Sequence, residues 1–140
     1  MRTIVIGFIA GFVGVLVFHQ LGFYVSNEVG LTRANIYNMA PVAPLGVPAI
    51  LSAAFWAGLW GIVAAFAVPR LPTPLNGALG WILFAGIVVT LANWFIVLPI
   101  KGAPVGGGFR MPGVIVAPLV YAFWGFGMWL IATGLRRVWK

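Results

Sequence analysis

Cysteine is absent from this chain, and among its 140 residues there is one acidic side chain, Glu28, and one histidine, His19. Without cysteine there is no disulfide framework, no thiolate metal site and no redox dithiol. A lone carboxylate excludes the paired acids of glycoside hydrolysis, and Ser26 and Ser52 have no aspartate to complete a triad with His19. The sequence therefore predicts a protein that is not an enzyme. Charge is equally scarce, at 6% of residues against 63% hydrophobic. A soluble surface needs roughly a quarter of its residues charged, so the expected environment and first partner is the lipid bilayer. The formal charge of +7 reflects the missing acids, not a basic patch, since the eight Lys and Arg are scattered. Nucleic acid is not an expected partner. The run "GAPVGGG" lacks the Gly-Lys-Ser/Thr ending and the preceding strand of a phosphate-cradling loop.

What is present is apolar length. Residues 3–25, 47–68, 78–99 and 113–134 form apolar runs, each near the ~20 residues that a helix needs to cross the hydrocarbon core. They predict an all-α fold, a four-helix membrane bundle in which residues 1–140 form a single transmembrane domain. The first run is too long for a signal peptide and no small-residue cleavage site follows it, so it reads as a retained span. Arg2, Arg70, Arg136, Arg137 and Lys140 fall on one side of this arrangement, and Arg33, Lys101 and Arg110 on the other. By the positive-inside rule both termini are expected in the cytoplasm. Tyr24, Trp94 and Trp139 suit the interfacial aromatic belt. Pro118 lies inside the last run and predicts a helix that is kinked there or starts there.

The two connections expected outside, around "NMAPVAPLGVPA" and "KGAPVGGGFRMPG", are dense in helix-breaking Pro and Gly. Both contain Ala-Pro-Val, and the spans after them share "AFWAGLW" and "AFWGFGMW", while the spans before them share Ala-Gly at Ala10 and Ala85. These echoes suggest two parallel helix-loop-helix repeats. In that register Phe18 matches Asn93 and His19 matches Trp94, which places polar side chains of both copies at one depth, below the two loops. His19, Gln20, Thr90 and Asn93 are thus expected to form a small polar intramembrane cluster, and hydrogen bonding between helices is its expected role. Lys101 and Arg110 flank the glycine-rich loop and are candidates for an anion or headgroup, although solvated loop charges are the commoner case.

No metal site and no cofactor are expected. A neutral imidazole in an apolar setting suits haem iron or chlorophyll magnesium, but one histidine cannot form a two-histidine site and no haem-attachment sequence accompanies it. Packing signals are more frequent. Gly7 and Gly11, Ala54 and Gly58, and Ala57 and Gly61 recur at four-residue spacing, which lets helix backbones approach closely. Trp56, Trp60 and Trp124 then supply bulky ridges expected to face another subunit.

The segments "FIAGFVGVLVFHQ", "APVAPLGVPAILSAAFWAGLWG" and "LPIKGAPVGGG" resemble a family of uncharacterised small four-span inner-membrane proteins of bacteria. The resemblance implies the four-span fold and a bacterial inner-membrane location, and it carries no biochemical role. The expected function is that of an accessory or assembly subunit of a larger membrane complex, with other membrane subunits as partners. A small transporter or channel acting as a homo-oligomer is the competing reading.

Overall fold

A computed structural model describes residues 1–139, so the Lys140 charge used above lies outside the described residues. Four helices are long and apolar enough to cross a membrane: α1 (Arg2–Glu28), α2 (Ala49–Arg70), α3 (Ala78–Ile100) and α4 (Gly113–Val138). The chain is an all-α, multi-pass membrane bundle. The helices extend past the apolar runs at several ends because polar residues such as Arg2, Asn27 and Glu28 continue the helical hydrogen bonding beyond the hydrophobic stretch.

Antiparallel packing follows from the small residues. Gly7 and Gly11 of α1 lie directly against Gly61 and Ala57 of α2, and a methyl group added at Gly11 would run into the Ala57 carbonyl. In the second hairpin Gly125 of α4 rests on Trp81 and Ala85 of α3. The echoed motifs therefore occupy matching places: Ala10-Gly11 meets Ala57, and Ala85-Gly86 meets Gly125 and Ala122. Contact between the hairpins runs through α1 and α4, where Gly14 sits under Trp124 and Gly127 under Phe18. Trp124 Nε1 donates to the Gly11 carbonyl at 3.2 Å, a buried bond from one hairpin to the other. The α2 and α3 faces meet mainly through large side chains such as Trp60 and Phe84, with ring centroids 6.3 Å apart.

The end of the bundle away from the chain termini carries two loops and is called the loop end here. The sequence predicts helix from residue 47, but Val47–Pro48 pairs with Pro41–Val42 as a short antiparallel hairpin, and α2 begins at Ala49. A proline in each strand, Pro41 paired opposite Pro48, and the turn at Gly46 with φ 71° favour this extended pairing over an early helical turn. Pro118 does not begin a helix: α4 starts at Gly113 and continues through it. At the opposite end Arg2 donates to the Arg136 carbonyl at 2.9 Å, and Arg136 to the Ala65 carbonyl at 3.4 Å, which ties both chain ends to α2.

Two of the helices depart from regular α geometry where the polar residues lie. Residues Val15–His19 of α1 and Phe84–Val89 and Asn93–Val97 of α3 form wide π-helical turns. Such turns rotate the side chains that follow them and commonly occur at functional sites. His19 closes the first and Asn93 opens the last.

Candidate functional site

The axis of the bundle contains a void of about 60 Å³, to which every helix contributes: Val15 and His19, Trp56 and Trp60, Val89 and Asn93, Tyr121 and Trp124. Above it a chamber of about 470 Å³ opens at the loop end, and His19, Asn93, Lys101 and Tyr121 line both spaces. Beneath, large side chains that are almost wholly buried, Trp81, Met128, Ile6 and Val68, fill the interior.

His19 is held from three sides. Its ring lies 4.9 Å from Phe23, edge to face, and 5.3 Å from Tyr121. Nδ1 is 3.3 Å from Nε2 of Gln20. The backbone N–H of Tyr37 donates to Oε1 of the same amide at 2.8 Å. An oxygen engaged by a donor fixes which end of the amide is NH₂, so Gln20 donates to Nδ1. In the neutral imidazole the proton is then on Nε2, and His19 is a donor. The pair "HQ" thus has a local purpose: Gln20 orients His19 and joins α1 to the loop above it.

The expected cluster is only partly assembled. His19 and Asn93 share the pocket, and Gln20 reaches it through His19. Thr90 does not belong to it: it follows the wide turn Phe84–Val89, and its hydroxyl donates to the Ala85 carbonyl one turn back at 3.4 Å. Two further corrections concern charge and aromatic residues. Lys101 is not a solvated loop charge. It follows the last turn of α3, is half-buried and lines the void, whereas Arg110 is exposed and lines the chamber mouth. Burial lowers the Lys101 ammonium below its ordinary range. Trp124, expected to face a partner, is 1% exposed and bonded within the bundle, and Trp56 and Trp60 also line the central void. An indole with an N–H needs an acceptor when buried, and the interior offers one in the Gly11 carbonyl, where no side chain intervenes.

Sequence reasoning overlooked two tyrosines. Tyr121 carries the only hydroxyl between Pro118 and Thr133 in α4 and stands against His19. Tyr37 fastens the first loop twice, by its N–H to Gln20 and by its hydroxyl to the Leu16 carbonyl at 2.6 Å. Tyr121 carries a readable signal, an isolated polar group in an apolar run. Tyr37 carries none, because its role depends on where a loop folds back.

Glycine explains the roof of the chamber. Gly106, Gly107 and Gly108 have φ of 61°, 60° and 79°, and Phe109 follows at 50°. A left-handed run of this kind is open only to a glycine-rich stretch. Gly106 and Gly107 line the chamber, and the run brings the Phe109 ring edge to face on Trp94, another lining residue, at 5.5 Å.

Chemically, the pocket presents donors. Two cations, the Asn93 amide, the Tyr121 hydroxyl and the His19 Nε2–H converge, and among the described residues no carboxylate lines it. No group of three or more His, Cys, Asp or Glu capable of holding a metal occurs among the described residues. In comparisons with protein-family models, curated proteins and solved structures, no match was found.

Proposed function

We propose that this protein is a non-enzymatic accessory subunit of a larger membrane complex, placed in the bacterial inner membrane with both termini in the cytoplasm and the loop end outside. The observation that carries this reading is a fastened apolar cap at the loop end. The loop after α1 is held by Asn27, whose Oδ1 accepts from the Ala34 N–H at 2.8 Å and the Thr32 hydroxyl at 2.7 Å, and whose Nδ2 donates to the Ala34 carbonyl at 2.9 Å. Tyr37 and the Pro41–Pro48 hairpin continue this bracing. On this braced loop stand Leu45 at 83% exposure and Met39 at 64%, and Met111 at 67% stands on the neighbouring loop before α4. Large apolar groups outside the spans do not face acyl chains by default. A surface already ordered before contact loses little entropy on binding, which suits it to docking another subunit.

Trp124 does not support the reading, since it is buried within the bundle, and Trp56 and Trp60 line the central void. The transporter alternative is favoured by the shared pocket of His19 and Asn93, but large buried side chains, Trp81, Met128, Ile6 and Val68, fill the interior below that pocket. The test is Leu45→Asp combined with Met39→Asp. Both positions are exposed, so insertion and monomer folding should be unchanged, while a stoichiometric membrane partner that co-purifies with the wild type should be lost. A wild-type chain that purifies alone in mild detergent and moves a solute across liposomes would replace this reading with the transporter.

A further inference from the structure

We propose that the loop-end chamber is a binding site for a phosphate oxyanion, clamped by Lys101 and Arg110 and hydrogen-bonded by Asn93, Tyr121 and His19. This proposal does not depend on the accessory-subunit reading.

Its first support is the composition of the walls. A space of about 470 Å³ is bounded on its polar side by two basic side chains, Lys101 and Arg110, and by three neutral groups that can donate. The one acid of the chain, Glu28, is exposed and does not line the chamber. A half-buried lysine ordinarily has a carboxylate beside it, because an unpaired charge loses hydration without compensation. Lys101 is turned into the bundle among His19, Asn93 and Tyr121, and among the described residues no carboxylate lines that space. An anion entering the chamber supplies the missing counter-charge.

Its second support is the donor state of His19, which follows from geometry. Gln20 donates to Nδ1 and is itself locked by the Tyr37 N–H, so the imidazole offers Nε2–H. This relay would be superfluous if His19 served only as an acceptor between helices. The asparagine amide and the tyrosine hydroxyl, both at the void, also offer hydrogen to an oxyanion. Tetrahedral phosphate, with several acceptor oxygens, can engage donors arriving from four different elements, and charge-assisted bonds of this kind are the stronger ones.

The remaining wall indicates how the phosphate can be carried. Phe23, Leu98, Met111 and Val114 form an apolar side to the same chamber. A phosphate borne by a lipid would place its glycerol and first methylenes there, while free phosphate would use the donors alone. Both sources share the oxyanion chemistry.

The experiment uses the full chain in mild detergent. Native mass spectrometry is run after delipidation and addition of phosphatidylglycerol or, separately, diacylglycerol, which has the same glycerol and acyl chains but no phosphate, and calorimetric titration is run with inorganic phosphate. Retention of phosphatidylglycerol over diacylglycerol identifies a lipid-borne phosphate, a phosphate titration signal identifies the free ion, and equal retention of both lipids counts as absence of phosphate binding in that arm. Either outcome supports the site provided that Lys101→Gln and Arg110→Gln each weaken binding by about tenfold or more, whereas Arg33→Gln, a cation outside the chamber lining, changes it less than about twofold. If Lys101→Gln fails to fold, Arg110→Gln, at an exposed position, decides the same question. Absence of binding in both arms, or equal loss in the Arg33 variant, overturns the proposal.

Discussion

Nε2 of Gln20 lies 3.3 Å from Nδ1 of His19, although the two residues are neighbours in one helix. Successive side chains on a regular helix point about 100° apart and do not face each other. The wide turn over Val15–His19 ends at this pair and changes the rotation, so the amide can reach the ring. Gln20 should therefore matter more than His19 to stability. Gln20→Leu leaves the Tyr37 N–H without an acceptor and releases the imidazole, with an expected loss of about 1–3 kcal/mol. His19→Gln keeps hydrogen-bonding capacity and should cost about 1 kcal/mol. Thermal unfolding in detergent checks the order, and the reverse order would refute the relay.

The tight crossing of α1 and α2 predicts a sharp position dependence. Gly11→Ala pushes a methyl into the Ala57 carbonyl, and Gly7→Ala meets the Gly61 carbonyl at 2.7 Å. Gly134 has open space around it. Overpacking of this sort costs about 1–3 kcal/mol or more, so Gly11→Ala should lower the melting temperature markedly while Gly134→Ala leaves it unchanged or slightly higher. Equal behaviour of the two variants would contradict the packing described.

For Trp124 the expectation concerns the fold and not a partner. Its truncation to Ala empties a fully buried site and removes the bond to Gly11, at about 3–5 kcal/mol. Trp124→Phe retains most of the volume and loses the bond, at about 1 kcal/mol. Size-exclusion profiles and melting curves of the isolated protein should show both effects without any other subunit present.

Lys101 sets the sign of a pH effect. Its folded value lies below the ordinary 10.5 because burial disfavours the ammonium. Between the lowered value and 10.5 the unfolded chain holds the extra proton, so stability rises with pH through that window. Below the window the cost of the buried charge is fully present. Lys101→Met should accordingly raise the melting temperature near neutral pH, abolish the rise in the alkaline range and abolish phosphate binding. A variant that is less stable at neutral pH would show that the charge is already compensated in the fold.

Orientation is open to a direct assay. A reporter active only in the cytoplasm should function when fused at the C-terminus, and one active only outside should function within Gly106 to Gly108. The opposite pattern would invert the placement of the loop end.

Much of the architecture was determined by the sequence alone. Apolar runs of spanning length can satisfy their backbone groups in a membrane only as helices, so four runs dictate four helices. Glycine and alanine at four-residue spacing marked the α1 and α2 faces that do meet, because a missing side chain is a local property of the chain. His19 and Asn93 were also legible as companions, since their depth follows from their place along two spans. Tertiary structure decided what depends on rotation about the helix axes. The wide turns that end at His19, precede Thr90 and begin at Asn93 shift each later side chain, so periodicity could not tell that Thr90 turns to the Ala85 carbonyl while Asn93 faces the pocket. The inward direction of Trp124, the descent of Lys101 into the bundle and the reach of Tyr37 back to Gln20 were decided in the same way. Each needs a partner far along the chain, and only the closed bundle brings the indole to the Gly11 carbonyl and the lysine to the histidine.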